Sequence, residues 1–301
     1  MQYFRLISFI WNHPLNKKSP WKAIGRLFRW QISARLLPEA IFGLPFVNNT
    51  KLFMRLGMTG ATGNLYCGLH EMNDMGFVLH VLRPNDLFID IGANIGSYTV
   101  LAAGGTGAQV ITVEPISSTY QQLCLNLKLN NLEANVESHC LGLSDHTGIL
   151  QFTSTQDTVN HILADGEIHH QNDTENVQVT TLDNLMAGRN PTLLKIDVEG
   201  HEMSVLEGSH NTLESPNLLA IIMEINGSGK RYGIEDSKLL NIMNKYGFSC
   251  WNYDAIKRTL KKLEESPETI KDGNIIFLRN HFEVEQRIKT APNTKLINGV
   301  L

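Results

Sequence analysis

From residue 87 onward the chain alternates short apolar runs with longer amphipathic stretches, and this alternation constrains its fold more than any other feature. Residues 87–91 (LFIDI), 110–113, 136–141, 193–198 and 218–225 are too short for helices and rich in Ile, Leu and Val, as strands buried on both faces are. Residues 98–103, 117–129, 203–208 and 237–246 carry helical spacing between them, with Ser117 as a candidate cap. Strands separated by helices imply βαβ units and a mostly parallel sheet. Residues 248–253 and 274–278 read as two final strands, and residues 71–82 as a helix ended by Pro84. The alternation is broken once. Residues 149–153 and 177–182 read as a strand pair joined by the polar segment 154–176, which carries His161, His169 and His170. Connections that long are uncommon without a function, so a mobile lid is expected there.

The 301 residues suffice for one large α/β domain with extensions. The boundaries expected are a helical N-terminal extension over 1–64, a catalytic domain over 65–280, and a polar tail over 281–301 that frays. A net charge of −4 argues against nucleic acid as a partner. Cys67, Cys124, Cys140 and Cys250 are scattered, with neither a CxxC pair nor zinc spacing, as reduced thiols of a cytoplasmic protein would be. No apolar run is long enough to cross a bilayer, and the first apolar stretch lacks a cleavage site of secretory type. The first 38 residues stand apart: Trp11, Trp21, Phe28 and Trp30 interleave with lysines and arginines, and no acidic residue precedes Glu39. Two readings stay open, a helical cap packed on the domain or an interfacial helix touching anionic lipid at the inner face of the membrane.

The run Asp90-Ile-Gly92-Ala-Asn94-Ile-Gly96 closes the first strand and opens a helix. Glycines in such a turn let a ligand approach the backbone, and the helix start offers free N–H groups. Glu114 closes the second strand, where nucleotide-binding sheets place an acid that holds a ribose diol. A dinucleotide binder wants GxGxxG; here the pattern is GxNxG with an acid before it, which would repel a pyrophosphate but suit a cationic amino group. A Walker A loop is absent. S-adenosylmethionine, with its ammonium and sulfonium, fits these residues better than NAD does.

Three motifs, 90–96, Glu114-Pro115 and Lys195-Ile-Asp-Val-Glu-Gly-His-Glu202, together with their spacing, resemble the FkbM family of methyltransferases over about residues 65–280. The resemblance implies a Rossmann-like class I methyltransferase sheet of seven strands, the last antiparallel. It also implies S-adenosylmethionine as methyl donor and a hydroxyl acceptor on a sugar or natural product. It places Asp90, Gly92, Asn94 and Gly96 at the methionine end and Glu114 on the ribose. The loop after the third strand, with Ser144 and Asp145, would flank the adenine; the same residues read equally well as a turn into the next strand.

Methyl transfer to a hydroxyl needs a group that orients the oxygen and takes its proton. Lys195, Asp197 and Glu199 alternate along one strand and its exit, so they share a face. Asp197 is the candidate acceptor-orienting acid or base with Lys195 tuning it; a structural ion pair is the other reading. Glu224 on the next strand could join Asp197 and Glu199 around Mg²⁺, but no metal is assigned. His161 and His201 are alternative bases, and Glu71 is a candidate ligand for the methionine amino group. The function expected is O-methylation of a saccharide or glycan precursor. A small-molecule O-methyltransferase and a non-catalytic cofactor-binding module are the alternatives. Oligomeric state is not legible.

Overall fold

A computed structural model describes residues 2–55, 58–156, 159–164, 166–167, 170, 173–263 and 273–301. The apolar runs pair as their composition requires. Strand β3 (Leu87–Ile91) lies at the centre, with β4 (Gln109–Val113) and β5 (Val136–His139) parallel on one side and β9 (Leu193–Ile196) and β10 (Ala220–Ile225) parallel on the other. Beyond β10 comes β13 (Gly273–Leu278), antiparallel both to it and to β11 (Ser249–Asp254). Because the chain leaves β3 toward β4 and later returns on its opposite side at β9, a crevice opens beyond the carboxyl ends of these strands, where open α/β sheets bind ligands. Helices α5 (Ser97–Thr106) and α6 (Ser117–Leu129) follow β3 and β4; α8 (Glu202–Glu207) follows β9 and α10 (Asp236–Lys245) follows β10.

Among the described residues the sheet has eight strands rather than seven. The addition is β12 (Thr259–Lys262), which pairs with β11 at the edge. Its sequence, Thr-Leu-Lys-Lys, is short and charged as protected edges are, and carries no apolar run by which to find it. The expected third strand also ends early. After His139 the chain crosses to a small three-stranded sheet of β6 (Gly142–Leu143), β7 (Gly148–Thr153) and β8 (Thr174–Thr180). The described part of the segment joining β7 to β8 is tied down: Phe152 bridges Ile162, the Thr153 N–H donates to the His161 carbonyl at 2.9 Å, and Ile162 joins Ile116, Phe152, Val177 and Val179 in a small core. His169 lies outside the described residues.

The N-terminal extension is neither wholly helical nor separate. Helices α1 (Gln2–Asn12) and α2 (Pro20–Leu36) lead into a hairpin, β1 (Phe42–Pro45) with β2 (Lys51–Met54), and then α3 (Thr59–Cys67), which straddles the expected boundary at residue 64. Ile10, Leu27, Trp30 and Leu52 share one core with Val78 of α4 (Met72–Val81) and Leu101 of α5. Asn126 on α6 locks the hairpin on, accepting from the Phe53 N–H at 2.6 Å and donating to the Ile95 carbonyl at 2.7 Å.

The tail does not fray. Residues after Asn280 form α11 (His281–Lys289) and the hairpin of β14 (Lys295–Leu296) with β15 (Gly299–Val300). Val284 and Ile288, one turn apart, bury a narrow stripe among charged neighbours, and Arg287 pairs with Asp86 at 2.6 Å. No disulfide joins Cys67, Cys124, Cys140 and Cys250.

Candidate active site

A cavity of about 780 Å³ lies over the carboxyl ends of β3, β4, β9 and β10. At one end the β3–α5 turn shapes it. A Cβ on Gly92, whose φ is +76°, would fall 1.8 Å from the Asp197 carbonyl, so no other residue fits where the two strand exits converge. Asn94 takes a left-handed conformation and aims its N–H at Glu114 Oε2, 2.9 Å away; the Ile116 N–H donates to Oε1 at 3.0 Å. Two backbone donors thus fix the Glu114 carboxylate at the end of β4, each oxygen keeping a lone pair. Burial pushes Glu114 up to about 7 against those two donors, and burial pushes Asp90 up to about 6 although Lys195 opposes it. Asp90 accepts from Thr99 Oγ1 at 2.6 Å. Ile116, Leu143 and Phe152 form an apolar wall beside Glu114.

Ser144 and Asp145 do not line this cavity; Gly142 and Leu143 do. The cause is register. Leu143 pairs with Thr180 and the Ser144 N–H donates to the Thr180 carbonyl, which turns the Ser144 hydroxyl away to His201 Nε2 (3.1 Å) and Asp145 (3.0 Å). Asp145 in turn pairs with His146 at 2.7 Å.

At the other end Lys195 Nζ donates to Asp197 Oδ2 at 2.6 Å and sits 4.7 Å from the centre of the Tyr98 ring. Burial would depress this ammonium, but Asp197, Glu71 and Asp90 hold it above its ordinary value. Glu199 adopts a φ of +53°, rare for a residue with a side chain, immediately before Gly200 at +105°. The turn is clamped by the buried Glu202, which accepts from the Gly200 N–H at 3.1 Å and the Val198 N–H at 3.3 Å. Carboxylate oxygens of Asp197, Glu199 and Glu224 consequently lie within 4.8 Å of one another. Burial, reinforced by Asp197, pushes Glu199 up to about 7 and Glu224 up to about 8. Glu224 Oε2 is buried without a hydrogen-bond partner among the described residues. The trio offers countercharge to a cationic ligand, oxygen donors to a hard metal ion, or, at Glu199 and Glu224, a proton acceptor poised near neutrality.

Glu71 reaches the same cavity from the start of α4, accepting from the Tyr98 hydroxyl at 2.8 Å and from Asn274 Nδ2 at 2.9 Å. His161 does not reach it. Residues 160 and 162 line the cavity, and the residue between them in an extended segment points to the opposite face. There His161 is buried, with Nε2 3.0 Å from Glu167 and Nδ1 3.0 Å from the Val159 carbonyl. His201 sits at the rim, lowered to about 4 by burial and edge-on to Tyr232.

The far wall comes from Phe9 on α1, Trp30 on α2, Thr62 and Tyr66 on α3, and His70, all within residues 1–80, where the sequence places acceptor specificity without naming these side chains. The aromatic enrichment of the first 66 residues was the available signal. Asn274 and Tyr98 carried none.

A family profile described as the methyltransferase FkbM domain matches residues 90–250. Over 161 residues the chain is 30% identical to the hexuronic acid methyltransferase AglP of Haloferax volcanii, which takes in 52% of this chain and 62% of that protein. The chain therefore spans less than two thirds of that relative. Two solved structures are loosely similar. One is an rRNA methylase from Streptococcus thermophilus, 14% identical with a TM-score of 0.39, covering 68% of this chain and 93% of that one. The other is precorrin-6y C5,15-methyltransferase from Geobacter metallireducens, 12% identical with a TM-score of 0.40, covering 69% and 87%. The strand pairings and the profile, rather than these likenesses, identify the Rossmann-like class I methyltransferase sheet, here with one added edge strand.

Proposed function

The chain belongs to the FkbM family of methyltransferases, and from that membership we propose that it transfers the methyl group of S-adenosylmethionine to a hydroxyl oxygen of a saccharide. The observation that carries this reading is a single cavity joining a backbone-pinned acid, Glu114, to the Asp197–Glu199–Glu224 trio. S-adenosylmethionine, when bound, supplies an electrophilic methyl carbon on a cationic sulfonium. Glu114 has lone pairs for a ribose diol, and the wall of Ile116, Leu143 and Phe152 suits a planar base. Asp90 and Glu71 supply negative charge for the amino group. With the donor bound, Asp197 would orient the acceptor hydroxyl toward the methyl carbon, Lys195 would position Asp197, and the carboxylate trio would take the hydroxyl proton. A saccharide acceptor is supported by the similarity to a hexuronic acid methyltransferase.

Calorimetry with S-adenosylmethionine, followed by transfer of a tritiated methyl group to glycans containing hexuronic acid, tests the reading. Absent cofactor binding would sink it; binding without transfer to any saccharide would leave a cofactor-binding module. The location that accompanies this reading is cytoplasmic, peripheral to the inner face of the membrane. The unbalanced positive charge of the first 38 residues supports it. No helix among the described residues is long and apolar enough to cross a membrane.

A further inference from the structure

Helix α2 is apolar on two sides. One side, with Ala23, Ile24, Leu27, Trp30 and Ala34, is buried. The other presents Trp21, Phe28, Ile32 and Leu36 to solvent, with Trp21 75% and Leu36 74% exposed. These positions recur at intervals of seven, four and four and so form one stripe. Helix α1 repeats the arrangement: Ile10 is buried while Phe4, Ile7 and Trp11 face outward. The Trp11 and Trp21 rings meet edge to face at 4.7 Å and join the two stripes into one patch. Scattered exposed apolar residues are ordinary on a protein surface; a contiguous patch of this kind marks an interaction site.

Charge selects the partner. Arg5, Lys17, Lys18, Lys22, Arg29 and Arg35 are all exposed around the patch, and every one of the chain's 30 acidic residues lies at Glu39 or beyond. Tryptophan and phenylalanine flanked by lysine and arginine fit the boundary between anionic headgroups and acyl chains. The same two helices wall the cavity on their other side, through Leu6 and Phe9 of α1 and Trp30 and Gln31 of α2. One helix diameter, about 10 Å, therefore separates the patch from the cavity, and Phe9, 41% exposed, lies on the rim between them.

We propose that the outer face of α1 and α2 docks on an anionic lipid bilayer, and that the acceptor is a saccharide carried on a membrane lipid, presented to the cavity across the Phe9 rim. The acceptor part rests on the saccharide reading above; the docking part does not. A lipid-borne acceptor stays anchored while its sugars reach over the helix layer, so docking raises the local concentration of the substrate.

The test uses the full chain and the double variant Phe28→Asp/Ile32→Asp, both positions lying outside the cavity. Cosedimentation with vesicles containing phosphatidylglycerol is expected to be strong and salt-sensitive, binding to pure phosphatidylcholine weak, and the variant reduced at least about tenfold. Its melting temperature and S-adenosylmethionine affinity should be unchanged. Incubated with native membranes and tritiated cofactor, the wild type should place label in the organic, lipid-extractable saccharide fraction, and the variant at least about tenfold less. Equal binding to both vesicles, undiminished binding by the variant, or label confined to water-soluble saccharides would overturn the proposal. So would a dimer in solution that the two substitutions dissociate, since a second copy would then cover the patch. Loss of cofactor binding in the wild type would instead strike the methyl-transfer reading and leave the vesicle result standing.

Discussion

At the β3–β4 end of the cavity Asp90, Asn94 and Glu114 come from one short stretch of chain, and backbone N–H groups hold the Glu114 carboxylate in place. At the β9–β10 end, Glu71, Tyr98, Lys195, Asp197, Glu199, Glu224 and Asn274 converge from across the sheet and are held largely by one another. The first arrangement is rigid because a local turn dictates it. The second is a cluster of carboxylates around the buried Lys195, so its side chains depend on one another for their placement and respond to each other's loss. One end is held by backbone donors, the other by side chains that hold each other.

The largest effect expected comes from that second end. Asp197→Asn should lower methyl transfer by about 10²–10⁴-fold, the usual scale of a lost general-base or orienting group, while cofactor affinity changes little. Removing one partner of a buried ion pair can cost about 3–5 kcal/mol, but Lys195 keeps Asp90 and Glu71 nearby, so the loss of stability should be smaller. Turnover and melting measured on one sample decide the matter: early melting with normal turnover per folded molecule would make this end a scaffold. At the first end, Glu114→Ala should weaken cofactor binding at least about tenfold, each hydrogen bond to a charged group being worth about 1.5–3 kcal/mol. Glu114→Gln, which can still accept from one of the Asn94 and Ile116 amides, should fall between. Unchanged affinity by calorimetry in both would break the assignment of the ribose to Glu114.

A smaller effect concerns pH. Burial raises Glu199 to about 7 and Glu224 to about 8 from an ordinary value of 4.5. Between those limits the folded chain holds protons that the unfolded chain has released, so stability is greatest below the unfolded value and declines as pH rises toward 8. His80 and His201, lowered to about 4 by burial, oppose this trend up to their ordinary value of 6.5. The ligand-free melting temperature should therefore fall between pH 6.5 and 8, and Glu224→Gln should flatten that fall. Saturating S-adenosylmethionine, by bringing positive charge to the carboxylates, should flatten it as well. A melting temperature that rises from pH 6.5 to 8 in the ligand-free protein would contradict the charge crowding.

The contrast between the ends also explains what could be read from the sequence. Asp90, Gly92, Asn94 and Glu114 were legible because a tight βα turn has local requirements that only certain residues meet. Lys195 and Asp197 were legible because alternation along a strand and its exit assigns them a common face, whereas Glu199 comes to the same cavity through a left-handed turn past the end of β9. Glu71 and Asn274 lie 203 positions apart, and no periodicity links them. Which residues of the loop after β5 line the cavity was not legible, because the crossing to the small sheet at β6 decides it. The edge strand β12 and helix α11 were hidden by their charge: each buries too few apolar residues to stand out from a polar loop, and α11 relies on Val284 and Ile288 alone for its buried side.

The smallest chemical effect is expected at His161, a histidine that sits one residue from the cavity and outside it. Its neighbours Asn160 and Ile162 line the cavity, while its own ring is buried against Glu167 and the Val159 carbonyl, and its N–H donates to Thr153 Oγ1 at 2.9 Å. These bonds tie the segment after β7 back onto the small sheet. His161→Ala should accordingly destabilise the chain by about 0.5–3 kcal/mol, the ordinary range for losing buried contacts, and leave turnover per folded molecule within about twofold, because no transition-state contact is removed. Asn160→Ala should do the reverse: little change in melting beyond its bonds to Gln156 and Thr153, but a raised KM if its amide meets the acceptor. Measuring melting and KM against kcat for both variants reads the two faces of the segment separately. A fall in kcat of about a hundredfold for His161→Ala, at unchanged KM and stability, would mean that the segment turns over during the reaction and presents its other face. The proton would then pass to an imidazole rather than to the carboxylate trio.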